Sequence, residues 1–146
     1  MTQKALEVIG IEDIQKLLGE IAPNKANNLI NATVRGVATE INKQIKKNAP
    51  KDTGNLKKSF KVKKRRSPKF KPVFDVIADS GSSAKHSGFY WRFVEYGTGG
   101  KSPSPEQPFV RPAKDLIFSK LDQILSEQFT KKLVSAINRE KKKAVK

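Results

Sequence analysis

The chain contains no cysteine, and His86 is the only histidine among its 146 residues. Without cysteine the protein has no disulfide framework, no thiolate nucleophile and no cysteine-based zinc site. A Ser-His-Asp triad would have to use His86, which lies in a Ser/Gly-rich stretch with no nucleophile motif beside it. A surface histidine is therefore the favoured interpretation. These absences predict a protein with no catalytic residue, no metal site and no cofactor.

Long apolar runs are missing as well. No stretch reaches the ~18 consecutive apolar residues that a transmembrane helix needs. The amino terminus does not combine a basic start with the apolar run of a secretory signal. We therefore expect a soluble protein that is made in the cytoplasm and has no membrane contact.

The segment Gly97–Ser102 has the composition of a phosphate-binding loop but not its spacing. No glycine lies five positions before Gly100, as the motif G-x-x-x-x-G-K-[ST] requires. Asp75, Asp79 and Glu95 lie near predicted strands, yet their spacing specifies neither a divalent-metal site nor a glycosidase pair. A nuclease or another enzyme is the least favoured class.

Acidic residues are scarce: 14 Asp and Glu stand against 30 Lys and Arg, a formal net charge of +16. Such a charge favours contact with polyanions and opposes self-association. Basic residues are densest at 57–71, where no acid interrupts them, and two adjacent strands would make this segment a protruding hairpin. A hairpin whose charges are merely solvated is the open alternative to one that binds nucleic-acid phosphates without sequence preference. The phosphate contacts are assigned to Lys61, Lys63, Lys64, Arg65, Arg66 and Lys69.

Apolar periodicity predicts helices at both ends of the chain. A short strand at 5–9 and a helix at 11–21 precede a clearer helix whose apolar stripe runs from Leu29 to Ile45. That helix should stop before Pro50, since the residue before a proline disfavours helical backbone. A last helix should begin near Pro112 and end near Asn138.

Three segments between these helices are interpreted as strands: 56–63, 73–78 and 90–96. The predicted fold class is α+β, a small antiparallel sheet of three or four strands packed by amino-terminal helices and a long carboxyl-terminal helix. The prediction places a single domain at 1–138 and a basic, disordered tail at 139–146.

Two motifs in this order carry a family resemblance. The upstream motif is APKDTGNLKKS at 49–59, and the downstream one is FVEYGT at 93–98 followed by PFVRPA at 108–113. Together they resemble the signatures of the HK97 "gene ten" family of phage tail-completion and morphogenesis proteins. Gln107 stands where the family usually carries arginine before the Pro-Phe pair.

The resemblance implies a structural virion protein at the tail end or head–tail junction: a tail-completion, neck or minor tail protein. Its implied partners are other phage tail or neck proteins and further copies of itself, in a ring around the DNA channel. It implies location in the virion, after assembly in the host bacterial cytoplasm. Repulsion at this net charge could keep the free protein monomeric. The competing hypothesis is a sequence-independent nucleic-acid-binding protein that uses the hairpin at 57–71.

The aromatic segment Tyr90–Tyr96 is too bulky to be left wholly in water. Within it, the charge of Glu95 is costly to bury without a partner, which Arg92 or Arg111 could supply. A half-exposed strand carboxylate is the open alternative. The resemblance implies that this region fixes a loop and a subunit contact and performs no chemistry. The residues assigned to it are Tyr90, Trp91, Phe93, Glu95, Tyr96, Gly97, Thr98, Phe109 and Arg111.

Overall fold

The computed structural model describes residues 23–51, 54–79 and 88–145. Within these ranges the chain forms five helices and two strands: α1 (Pro23–Asn48), α2 (Asn55–Ser59), β1 (Phe60–Arg65), β2 (Val73–Ala78), α3 (Trp91–Tyr96), α4 (Val110–Ser119) and α5 (Leu121–Ala144). The predicted strand at 5–9, the predicted helix at 11–21 and His86 lie outside the described residues.

Helix α1 confirms the predicted stripe. Leu29, Val37 and Ile45 are buried along one side of it, and the helix ends two residues before Pro50.

Strands β1 and β2 form an antiparallel hairpin, in the register Phe60↔Ala78 to Arg65↔Val73. Because side chains alternate across a strand, Phe60, Val62 and Lys64 share one face, while Lys61, Lys63 and Arg65 share the other. The first face is turned towards α1, since Phe60 belongs to the core and Val62 and Lys64 line a cleft with residues of α1. The second face is the outer face of the hairpin.

The prediction of three or four strands is wrong: the described residues contain a two-stranded sheet. The segment at 90–96, predicted as a third strand, is helix α3, and residues 55–59 form a helical turn before β1. Short runs of aromatic and β-branched residues fit a strand or a buried helix equally well, so periodicity cannot separate the two.

The carboxyl-terminal helix is interrupted, and of its two candidate partners, the sheet and the helix with the stripe from Leu29 to Ile45, it packs against the helix. Lys120 separates α4 from α5, and α5 continues to Ala144, past the predicted end at Asn138 and into the segment predicted to be disordered. Both helices contact α1, which lies between them and the hairpin. The long helix therefore covers α1 and does not lie across the sheet.

The core joins the two sequence motifs. Phe60 makes edge-to-face contacts with Phe109, at 5.7 Å between ring centroids, and with Trp91, at 6.2 Å. Phe109 is fully buried, and Leu56 and Ala113 complete the cluster from the upstream and downstream motifs. Aromatic pairs of this geometry add to the stabilisation that burial of their area provides.

Candidate functional site

Helix α3 divides its side chains between the core and the solvent. Trp91 and Val94 pack against the core and Glu95 is buried, whereas Phe93 and Tyr96 point outward. Phe89, Phe93 and Tyr96 are 64%, 56% and 59% exposed, and we call these three residues the aromatic ledge. Phe93 and Tyr96, three residues apart, share one face of α3, and Phe89 lies two residues before the helix begins.

Glu95 is fully buried directly behind the ledge, and four hydrogen bonds satisfy its carboxylate. Oε2 accepts from the backbone N–H of Phe109 at 2.7 Å and of Val110 at 2.8 Å. Oε1 accepts from the backbone N–H of Arg111 at 2.9 Å and from Nε of the same residue at 3.0 Å. We call this arrangement the Glu95 clamp.

The clamp supplies the cap that α4 lacks. Phe109 occupies the N-cap position, where its side chain makes no capping hydrogen bond, and the first turn of α4 carries no acidic residue. The first N–H groups of a helix have no partner within it, and the positive end of the helix dipole favours a carboxylate. Glu95 therefore stabilises a helix that begins 15 residues further along the chain.

The pKa of Glu95 is shifted by opposing effects. Burial disfavours the charged form and raises the pKa, whereas hydrogen bonds from the three backbone N–H groups and from Arg111 lower it. The net result is a pKa below the ordinary value of 4.5. Glu95 is thus ionised at neutral pH and acts as a fixed hydrogen-bond acceptor.

Arg111 ties the clamp to the ledge. Its Nη2 donates to the backbone carbonyl of Glu95 at 3.0 Å and to Glu106 at 2.9 Å, and its guanidinium lies 4.8 Å from the ring centroid of Tyr96. Of the two candidate partners for Glu95, the structure therefore selects Arg111. Arg92 lies over the ring of Trp91 instead, at 5.5 Å.

Backbone hydrogen bonds next to the clamp hold the base of an exposed loop. Thr98 and Ser104 pair through two backbone hydrogen bonds of 3.0 and 3.2 Å, and Gln107 donates its N–H to the carbonyl of Val94. Gly97 has φ 72° and ψ 179°, and a Cβ at this position would lie 2.7 Å from the carbonyl oxygen of Ser104. Only glycine fits such a backbone next to such a close neighbour. Residues 99–108 are exposed throughout.

The predicted interface residues fall into two groups. Phe93 and Tyr96 lie on the surface, whereas Phe109 is fully buried and Tyr90 and Trp91 are partly buried against the core. The sequence interpretation missed Ser104 and Glu106, which hold the loop and Arg111 in place. No motif spacing pointed to either residue.

The predicted phosphate-binding residues also divide, into cations that form an ion pair and cations that do not. On the outer face, Arg65 forms an ion pair with Asp75 at 2.8 Å, and Lys61 forms one with Asp79. The antiparallel register brings Asp75 of β2, and Asp79 directly after β2, to a segment that contains no acid of its own. Lys63, Lys64, Arg66 and Lys69 make no ion pair within the described ranges.

None of the helices in the described residues is both long and apolar enough to cross a membrane. The same part of the chain holds no group of three or more His, Cys, Asp or Glu side chains placed to bind a metal ion.

A family model described as bacteriophage HK97-gp10, putative tail-component, matches residues 12–97, more than half of the chain. No curated protein and no solved structure matches. The matched residues include α1, both strands and α3, and the match ends at Gly97, just after Glu95. The chain therefore belongs to the HK97-gp10-like family of putative phage tail components.

Proposed function

We propose that this protein is a structural component of the tail end or head–tail junction, which completes the tail through protein–protein contacts and performs no catalytic step. Membership of a family of putative tail components supports a place in the virion, reached after assembly in the host cytoplasm. The observation that carries the proposal is the exposed aromatic ledge on a base that the Glu95 clamp holds rigid.

Apolar side chains exposed together mark interaction surfaces. Aromatic residues supply much of the binding energy of interfaces, and a fixed support lowers the entropy lost on association. Phe93 and Tyr96 are aromatic and exposed, and they also have a fixed support. Arg111 holds the ring of Tyr96, and the neighbouring Glu95 anchors α3. The only carboxylate in this region that is fully buried is used to cap a helix, which favours assembly over chemistry.

A second apolar surface lies on the carboxyl-terminal half of α5. Val134 and Ile137, three residues apart on one face of the helix, are 50% and 42% exposed, whereas Leu133 is buried. Contact between the ledge of one copy and this surface on the next would be heterologous, and a heterologous contact whose rotation closes generates a ring. The net charge of +16 opposes this association in the free protein, which we expect to be monomeric until a tail offers a template.

The test is complementation of a phage that lacks this gene with Phe93→Ser. A matched control is Phe70→Ser, since Phe70 is 47% exposed on the hairpin side and lies outside the ledge. We expect Phe93→Ser to fold but to leave tails or head–tail junctions incomplete in electron micrographs, and Phe70→Ser to complement. Complete, infectious particles with Phe93→Ser would overturn the proposal.

Mass measurement of the purified protein tests the ring separately. We expect a monomer when the protein is free and a multimer when it is recovered from particles. A stable closed ring without partners would contradict the role given to charge repulsion.

A further inference from the structure

A cleft of about 680 Å³ lies between α1, the hairpin and α5, on residues that the aromatic ledge does not include. Three separate elements supply its cations. Arg35 and Lys43 come from α1, Lys64 from β1, and Lys131 and Lys132 from α5.

The local geometry explains why these side chains meet. Lys64 is on the face of β1 that is turned towards α1, and positions 128, 131 and 132 fall on one face of α5. Gly36 leaves room on α1 for the side chain of Gln128 from α5, whose Oε1 would lie 2.3 Å from a Cβ at position 36. The cleft is therefore a feature of the packing of three elements and not of one flexible segment.

The cations of the cleft are almost unneutralised. Glu40 is the one carboxylate in its lining, and it is bonded to Lys43 at 2.8 Å. Arg35, Lys64, Lys131 and Lys132 form no ion pair with any residue in the described ranges. The outer face of the hairpin differs, because Asp75 and Asp79 neutralise two of its cations.

We propose that this cleft binds the phosphodiester backbone of nucleic acid without sequence preference. Long cationic side chains on a concave surface attract phosphates, and release of their counterions supplies most of the affinity. Lys63, Arg66 and Lys69 add exposed cations on the same hairpin outside the cleft, which favours a polymer of regularly repeated charge over a compact acidic peptide. This proposal is independent of the protein-contact role of the aromatic ledge.

The proposal separates two sets of basic residues that sequence alone treats as one. The cleft variant is Arg35→Gln/Lys64→Gln/Lys132→Gln, and the control variant is Lys63→Gln/Arg66→Gln/Lys69→Gln. Each removes one arginine and two lysines, so the loss of net charge is the same. Binding is measured by fluorescence anisotropy on labelled duplex and single-stranded oligonucleotides of mixed sequence, across a series of salt concentrations.

We expect the cleft variant to bind about tenfold or more weakly than the unmodified protein. In a plot of log affinity against log salt concentration, the magnitude of its slope should fall by roughly 0.9 for each duplex phosphate that the variant no longer neutralises. The control variant should lose much less affinity. Stronger binding to either the duplex or the single strand supports the proposal and identifies the form that the cleft accepts.

Equal losses in the two variants would overturn the proposal, because net charge and not the cleft would then determine binding. Absence of binding by the unmodified protein would overturn it as well. Competition with poly-glutamate provides a third outcome. If poly-glutamate displaces the oligonucleotide at a lower concentration of charge than unlabelled DNA does, an acidic peptide is the better ligand and the proposal is overturned. The ledge variant Phe93→Ser should bind nucleic acid normally, which distinguishes failure of this proposal from failure of the assembly role.

Discussion

The Glu95 clamp and the basic cleft use charge in opposite ways. In the clamp, one carboxylate is wholly buried and every hydrogen bond it accepts joins two parts of the fold. In the cleft, four cations that form no ion pair in the described residues line a space of about 680 Å³. A charge whose partners are all internal stabilises the protein, whereas a charge without an internal partner remains available to a ligand.

The largest effect should come from Glu95→Gln. An amide of nearly the same shape keeps one acceptor oxygen but turns an N–H₂ group towards backbone donors and leaves Arg111 without its buried partner. We expect a loss of about 3 kcal/mol in the free energy of unfolding, measured by chemical denaturation. The control is Glu106→Gln, which removes an exposed partner of the same arginine and should cost under about 1 kcal/mol. Equal losses of stability in the two variants would contradict a special role for the buried carboxylate.

A smaller loss is expected for Gly97→Ala. The positive φ and the carbonyl of Ser104 both oppose a Cβ, so the loop base must shift at a cost of about 2 kcal/mol. Gly99→Ala is the matched control in the same loop, because a Cβ there meets nothing within 4 Å. Thermal unfolding of the two variants should differ clearly, and a tolerated Gly97→Ala would show that the loop base is not fixed as described.

Acidification should weaken the clamp. The folded-state pKa of Glu95 lies below its ordinary value of 4.5, so its stabilising effect is complete above pH 4.5 and is lost as the pH falls towards the folded-state value. Glu95→Gln has no carboxyl at this position to titrate. The stability difference between the unmodified protein and Glu95→Gln should therefore narrow below pH 4.5 in denaturation experiments. A difference that stays constant there would contradict the ionised clamp.

The smallest effect on stability should come from the cleft. Replacing Lys64 and Lys132 with glutamine relieves repulsion and breaks no ion pair among the described residues, so the midpoint of thermal unfolding should stay unchanged or rise slightly. A marked fall would mean that these lysines support the fold. The cations of the cleft would then stabilise the fold, as Glu95 does, and the contrast between the two sites would not hold.

Parts of this structure could be predicted from the sequence because they have strong periodicity. The stripe of α1 and the alternation at 60–63 predicted the correct elements, whereas residues 56–59 of the same predicted strand are helical. Helix α3 was mispredicted, since six residues are too few to separate a helical from a strand period. The break at Lys120 contains neither glycine nor proline, although the hydroxyl of Ser119 bonds the carbonyl of Leu116 beside it.

Prediction of the clamp and of the cleft from the sequence has a similar limit. Glu95 could be nominated because apolar residues surround it, but three of its partners are backbone N–H groups, which no side-chain pattern reveals. The basic segment at 57–71 was evident, whereas its division between an ion-paired face and a cleft depends on the register with β2 and on the position of α5. Tertiary packing determines which charges remain available.

The most direct test of the assembly role is photo-crosslinking inside assembled particles, with a photoreactive amino acid at position 93 and, separately, at position 70. We predict that position 93 crosslinks to another copy of the protein or to a tail protein, while the exposed position 70, outside the ledge, does not make that contact. Particles that incorporate the protein and show no crosslink from position 93 would contradict the account.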